Sequence, residues 1–209
     1  MGLREDKKRE LRERILSTTL SLFGERGFVG TRVADIAATL RISEATFFNY
    51  FPTKQAVLKS AVRDGLDRAV GRVFSSAIDP TVPDDAVENI LRAIGAEVAE
   101  VFDTGGTLMG CLAHQPDVLA AGFLATWPPP VRVIAMFAQA QEQGQVRADI
   151  ASEFLARGLL ATLGAAICAA VEVTSVEVSS GESGAVSATS VGQAIDTAID
   201  LYTSGLLSR

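Results

Sequence analysis

Few side chains in this 209-residue chain could carry covalent or metal chemistry. The sequence has one histidine, His114, and two cysteines, Cys111 and Cys168. A metal site built from several histidines is therefore excluded, and a serine–histidine–aspartate triad would have to use His114. Two cysteines allow at most one disulfide, and reduced thiols in a core are the expected state. We therefore expect no enzyme, no metal and no cofactor.

Charge is distributed unevenly along the chain. Residues 1–54 hold ten Lys/Arg against seven Asp/Glu, whereas residues 55–209 hold nine against eighteen. A basic first part on an acidic remainder favours contact between the first part and a polyanion. A net charge of +3 over 54 residues is also ordinary scatter, so charge alone leaves both interpretations open.

Hydrophobic periodicity predicts helices throughout the chain. Leu11, Ile15 and Leu22 share one face of a first helix, which Gly24 and Gly27 are expected to end. Val171–Ser179 alternates valine with polar residues, and we interpret it as a helix end followed by a loop at 174–188. The remaining predicted helices lie near 84–103, 107–125, 129–143, 150–173 and 189–207.

The sequence predicts a protein of the cytoplasm. Its longest apolar run, Gly158–Val171, is shorter than the roughly 20 residues that span a bilayer. The N-terminal residues lack the apolar segment of a signal peptide. We therefore expect neither a membrane partner nor export.

Thr31–Phe51 has the layout of a helix-turn-helix. A short helix capped by Thr31 precedes a break at Arg41-Ile42, and Ser43 can cap a second helix that Pro52 ends. Such a second helix is narrow enough to enter the major groove of DNA. The layout alone is a weak signal, because many helical hairpins share it.

The residues of this segment resemble the tetracycline-repressor (TetR) family of bacterial regulators. The similarity lies in Thr31-Arg-Val-Ala-Asp-Ile-Ala37, Ser43-Glu-Ala-Thr-Phe-Phe-Asn-Tyr-Phe-Pro-Thr-Lys54 and the preceding Leu22-Phe-Gly-Glu-Arg-Gly-Phe28. The resemblance implies an all-α fold with two parts. The first, 1–54, would be a three-helix helix-turn-helix DNA-binding domain, here called the head. The second, 55–209, would be a helical ligand-binding and dimerisation domain, here called the body.

The resemblance also implies which head residues meet DNA. Thr31 and Lys54 occupy positions of phosphate contacts, and Tyr50 stands against the backbone. Glu44 and Asn49 could read bases, because glutamate can accept a hydrogen bond from cytosine and asparagine can bind adenine with two. The full expected set is Thr31, Ser43, Glu44, Ala45, Thr46, Phe48, Asn49, Tyr50 and Lys54.

Two residues depart from the family pattern. Arg41 replaces the usual turn glycine, at a cost of about 1 kcal/mol if the backbone is left-handed there. Phe48 replaces a groove-facing tyrosine and loses its hydroxyl. A degenerate family member that binds a protein partner instead of DNA therefore stays open, and so does a small helical enzyme that uses Cys111 or His114.

The body is expected to hold a small, largely apolar effector and to form a homodimer on a double-stranded DNA operator. We expect the ligand pocket to be lined by Phe102, Met109, Cys111, His114, Phe123, Trp127, Met136 and Phe137. Small and apolar residues at helical spacing predict the dimer interface, and these are Ala161, Gly164, Ala165, Cys168, Val191, Ile195, Ala198 and Tyr202. Plain packing in the protomer's own core is the alternative for both sets.

Overall fold

The computed structural model describes residues 2–75, 86–103, 107–113, 115, 127–179 and 188–206. The elements in these ranges are α-helices, which confirms the predicted all-α fold. They are α1 (Leu3–Gly30), α2 (Val33–Leu40), α3 (Glu44–Tyr50), α4 (Lys54–Ser75), α5 (Ala86–Asp103), α6 (Thr107–Ala113), α7 (Val131–Glu142), α8 (Ser152–Ser179) and α9 (Ala188–Leu206).

A small hydrophobic core holds the head together. It joins α1, α2 and α3 to the first turn of α4, because apolar residues at helical spacing on each element face one another. Phe47 is fully buried at its centre. The core residues are Ile15, Leu22, Ile36, Leu40, Phe47, Phe51 and Val57.

Helix α1 also contributes to a second, larger core in the body. Leu22 belongs to the head core, whereas its neighbour Phe23 packs with Phe28 in the body core, with ring centroids 5.0 Å apart. The helix continues through Gly24 and breaks at Gly27, where φ is +73°. Glycine adopts this left-handed φ without the strain a side chain would add. The expected end at Gly24 is therefore wrong, and the break at Gly27 is confirmed.

The body core is built chiefly from α4, α5, α7, α8 and α9. Two glycines let helices approach closely. A Cβ at Gly95 would lie 2.2 Å from Ile199, and one at Gly158 would lie 3.1 Å from the Tyr202 ring. The Tyr202 hydroxyl donates a hydrogen bond to the Leu155 carbonyl, which fixes α9 on α8 within one protomer.

Helix α8 extends beyond its predicted end near residue 173. The expected loop at 174–188 is wrong over its first part, because α8 continues to Ser179. Valine, threonine and serine lower helix propensity by only about 0.5 kcal/mol each, too little to stop a long established helix. Of the helix expected at 107–125, the structure describes Thr107–Ala113 as helical, and 116–126 lies outside the described residues.

The apolar stretch of α8 is longer than the run Gly158–Val171 identified in the sequence. Over Ser152–Val171 it is long and apolar enough to cross a membrane by length and composition alone, and half of this stretch is buried within the protein. Leu159, Leu163 and Ile167 are fully buried in the body core. A core helix of the folded body accounts for these properties.

Candidate nucleic-acid interface

The turn between α2 and α3 forms without a glycine. Arg41 adopts the left-handed conformation, with φ 55° and ψ 44°. Its N–H donates to the Ala38 carbonyl at 3.1 Å, and the Ile42 N–H donates to the Ala37 carbonyl at 3.0 Å. These bonds satisfy carbonyls that the end of α2 leaves free. The predicted left-handed turn is confirmed, and the departure at Arg41 leaves the helix-turn-helix intact.

Ser43 caps the N-terminus of α3, as the sequence predicts. Its hydroxyl oxygen accepts a hydrogen bond from the Thr46 N–H at 3.0 Å, and the two hydroxyls lie 2.8 Å apart. A cap of this kind stabilises a helix by about 1 kcal/mol. It matters here because α3 has only seven residues and cannot rely on its own length.

One face of α3 is exposed along its length. Phe47 is fully buried and anchors the helix, whereas Glu44, Ala45 and Asn49 are exposed. Phe48 is 47% exposed, and its ring meets Phe47 edge-on at 5.6 Å. Tyr50 and Thr46 are half-buried, and Tyr50 packs against the head core. A short, capped helix thus presents a carboxylate, a methyl, an amide and an aromatic ring together.

Thr31 does not have the role that the sequence predicts. Its side chain is fully buried, and its hydroxyl donates toward the carbonyls of Leu22, at 3.1 Å, and Gly27, at 2.8 Å. The N-cap of α2 is Arg32, one residue later, and its N–H donates to the Asp35 carboxylate at 3.2 Å. Because the hydroxyl faces the protein interior, the expected phosphate contact through Thr31 is wrong.

Lys54 is likewise engaged within the protein. Its ammonium donates to the carbonyls of Phe28, at 2.8 Å, and Thr31, at 2.6 Å, and lies 4.4 Å from the centre of the Phe28 ring. Partial burial lowers the pKa of Lys54. The first residue of α4 therefore holds the end of α1 and the start of α2, and this geometry does not favour the predicted phosphate role.

Other cations of the head divide into two groups. Arg12 is half-buried and engaged by α4, with Asp64 at 3.4 Å and a hydrogen bond to Ser60. The exposed group is free to meet a polyanion, apart from Arg9, which pairs with Asp6 at 2.9 Å. The exposed cations are Arg4, Lys7, Lys8, Arg9, Arg14, Arg26, Arg32 and Arg41.

The described residues among those predicted to line a ligand pocket lie together in the body core but are packed. Phe102, Met109, Cys111, Met136 and Phe137 are at most 8% exposed and belong to the body core. Trp127 is half-buried against that core, and His114 and Phe123 lie outside the described residues. Burial raises the pKa of Cys111 to about 11, so at neutral pH this residue is a thiol and a poor nucleophile.

The predicted dimer residues separate into three groups by exposure. Val191 and Ile195 are at most 2% exposed and pack in the protomer's own core, so their assignment to the interface is wrong. Ala161 and Ala165 are exposed on α8. The half-buried members are Gly164, Cys168, Ala198 and Tyr202.

Sequence reasoning missed two exposed apolar residues on α8 and α9, the helices that carry the predicted dimer residues. Phe154 on α8 is 71% exposed, and Leu201 on α9 is 70% exposed. Phe154 precedes Ala161 by seven residues, or about two helical turns, so both lie on one face of α8. The spacing was visible in the sequence, but periodicity alone could not show which face of α8 turns outward.

A capped, exposed helix on a compact helix-turn-helix head, joined to a helical body, defines the class of DNA-binding regulators that read the major groove. Comparison with known proteins agrees. Residues 15–61 match the family model described as bacterial regulatory proteins, tetR family.

Two relatives match over more residues than the family model does. The HTH-type transcriptional repressor DhaR of Mycobacterium sp. (strain GP1) is 29% identical over 168 residues, which cover 75% of this chain and 80% of DhaR. The HTH-type transcriptional regulator TcmR of Streptomyces glaucescens is 30% identical over 101 residues, 48% of this chain and 41% of TcmR.

Solved structures show the same architecture. Thermus thermophilus FadR, a TetR-family repressor solved with lauroyl-CoA, superposes with a TM-score of 0.56 at 26% identity over 95% of this chain and 96% of FadR. A TetR-family regulator from Pectobacterium atrosepticum gives 0.57 at 21% identity, covering 100% of this chain and 99% of that protein. Residues 15–61 therefore match the TetR family, and the chain as a whole is similar to transcriptional repressors of that family.

Proposed function

We propose that the protein is a cytoplasmic homodimeric repressor that a small ligand releases from a palindromic operator. The observation that carries this proposal is the exposed face of α3, with Glu44 and Asn49 outward and Phe47 buried beneath them. A carboxylate and an amide on one exposed helix face match the hydrogen-bond pattern of base edges in the major groove. Repression is supported by DhaR and FadR, whose names describe them as repressors.

Dimerisation is proposed through the outward face of α8. A stripe from Phe154 through Ala161 to Ala165 is exposed in the protomer, with Leu201 on the neighbouring α9. Small side chains allow two helices to approach closely, and large exposed apolar residues gain from burial. A second copy covering this stripe would place two heads on one DNA duplex.

The ligand is proposed to act on the body. FadR of Thermus thermophilus was solved with lauroyl-CoA, a ligand with an apolar chain. In the present protein, Met109, Met136 and Phe137 are packed where such a ligand would be expected. A ligand that enters there must separate these side chains, and it can shift DNA binding only by its preference for the separated state.

Selection of genomic fragments on the immobilised full-length protein tests this function. We expect a palindromic consensus with half-site centres about 34–36 Å apart, or a multiple of that spacing. A variant carrying Glu44→Ala and Asn49→Ala should retain salt-dependent binding but lose the consensus. Recovery of no enriched sequence by the unmodified protein would contradict the proposal and favour a partner-binding role.

A further inference from the structure

A cleft of about 670 Å³ lies between α4 and the start of α7. Arg68 and Arg72 come from α4, four residues apart and therefore on one face of the helix, and Arg132 comes from α7. Val70 and Pro130 contribute apolar wall. The cleft is thus bordered by three guanidinium groups from two helices and by one carboxylate, Asp67, which lies 3.7 Å from Arg63. The overall charge of the body is negative.

Two of these three arginines form no ion pair within the described ranges. Arg72 is bound to Glu97 and lies 3.7 Å from Glu100. Arg68 and Arg132 form no ion pair or hydrogen bond with any residue that the structure describes, and both are exposed. The other described basic residues of the body each have a partner, and these are Lys59, Arg63, Arg72, Arg92, Arg147 and Arg157.

This pairing pattern is informative because acids outnumber bases two to one in the body. Six described cations of the body have a partner. The two that lack one, Arg68 and Arg132, both border this cleft. Like charges that border one cleft repel each other, and an anion bound there would reverse that cost. A guanidinium presents a planar fork of donors that fits the oxygens of a carboxylate or a phosphate.

The N-terminus of α7 adds a weaker positive potential to that of the arginines. Pro130 is its N-cap and provides no side-chain hydrogen bond to the first turn. The free N–H groups and the helix dipole there favour negative charge. Beside them, Val70 is 7% exposed and forms an apolar surface within the cleft.

We propose that this cleft binds an amphipathic organic anion, with its carboxylate or phosphate between Arg68 and Arg132 and its apolar part against Val70 and Pro130. Arg68 is on α4, the helix that carries the head, and Arg132 is on α7 of the body. A bound anion therefore links the head-bearing helix to the body. This proposal deepens the proposed function by naming the chemical class of the effector. Only the role of the bound anion in releasing DNA rests on the proposed function.

Calorimetric titration of the full-length protein without DNA tests the site. The probes are octanoate, octyl phosphate and 1-octanol, at constant ionic strength. We expect octanoate, octyl phosphate or both to bind, and the anion that binds shows whether the site takes a carboxylate or a phosphate. Octanol should bind at least tenfold more weakly. Arg68→Gln with Arg132→Gln should weaken anion binding at least tenfold, since each lost charge-assisted bond is worth about a factor of ten or more.

Arg147→Gln is the matched control, because Arg147 is exposed, pairs with Asp149 and lies outside the cleft. It should leave anion affinity within about twofold, with all variants showing unchanged helical circular dichroism. The proposal is overturned if the double variant binds the anions like the unmodified protein, if octanol binds as tightly as octanoate, or if no probe binds.

A separate DNA measurement distinguishes this proposal from the proposed function. On a DNA fragment selected by the protein, the anion that binds should release the unmodified protein and not the double variant. Anion binding without release would overturn the effector role and leave the site standing. Failure to select any DNA would overturn the proposed function, while calorimetry would still decide the site.

Discussion

The ammonium of Lys54 lies 2.6 Å from the carbonyl oxygen of Thr31, which precedes the first residue of α2 by two positions. The same ammonium binds the Phe28 carbonyl near the end of α1. One side chain at the start of α4 therefore fixes the junction of α1 and α2. We expect a movement of α4 to act on the helix-turn-helix through this contact as well as through the chain.

Replacing Lys54 distinguishes a structural role from a phosphate contact. Lys54→Met keeps most of the side-chain length and removes two hydrogen bonds, so it should lower the free energy of unfolding by about 1–3 kcal/mol. DNA affinity should fall, while the dependence of log K on log salt should keep its slope. Lys8→Met, at an exposed position, should leave thermal stability unchanged. A slope reduced by about one unit in Lys54→Met would show a direct phosphate contact instead.

The α8 stripe gives a prediction about assembly. Ala165→Glu places a charge on the exposed small-residue face and should convert the dimer to a monomer, because burying an unpaired carboxylate is costly. Ala96→Glu, at an exposed alanine of α5, is the control and should stay dimeric. Sedimentation equilibrium measures both. If the Ala165→Glu protein is still a dimer, the interface does not include this face of α8.

Thr19 offers a prediction about stability. Its hydroxyl is fully buried on α1 and has no hydrogen-bond partner among the described residues. Thr19→Val replaces the hydroxyl by a methyl of similar size and should raise the free energy of unfolding by about 1 kcal/mol or more. Chemical denaturation measures the change. Thr31→Val, which removes a bonded hydroxyl, should have the opposite sign.

The thiol of Cys111 gives a prediction about pH. Burial raises its pKa from 9.0 to about 11. In a Cys168→Ser background, alkylation of the native protein should therefore rise about tenfold per pH unit up to pH 11, whereas the urea-unfolded protein should level off near pH 9. Because the folded-state pKa is raised, the stability contributed by this group is complete below pH 9 and is lost as the pH rises toward 11. If the alkylation rate of the native protein levels off near pH 9, the Cys111 thiol is not buried as described.

The sequence was most informative where local chemistry decides the structure. The cap at Ser43 and the break at Gly27 follow from one residue and its immediate neighbours, and both are confirmed. The role of Lys54 could not be derived in this way, since its partners lie more than twenty residues away. The same limit explains Thr31, whose polar side chain becomes buried only when α1 and α2 meet.

The body was harder to interpret for a related reason. Apolar residues at helical spacing show that a helix has a buried face, but they do not show whether the same chain or a second copy covers it. Val191 and Ile195 face the protomer's own core, whereas Ala161 and Ala165 face outward. Only the packing of α8 on α9 distinguishes these cases.

Sequence reading by α3 is the central claim, and Asn49→Ala tests it most directly. Fluorescence anisotropy should be measured on the selected operator and on variants changed at one base pair per half-site. We expect a loss of about 1–3 kcal/mol on the operator and relaxed preference at one position, because the amide can make two hydrogen bonds to a base. Asn89→Ala, at an exposed asparagine of α5, should bind every variant like the unmodified protein. Equal weakening of Asn49→Ala on all sequences would contradict base reading by this residue.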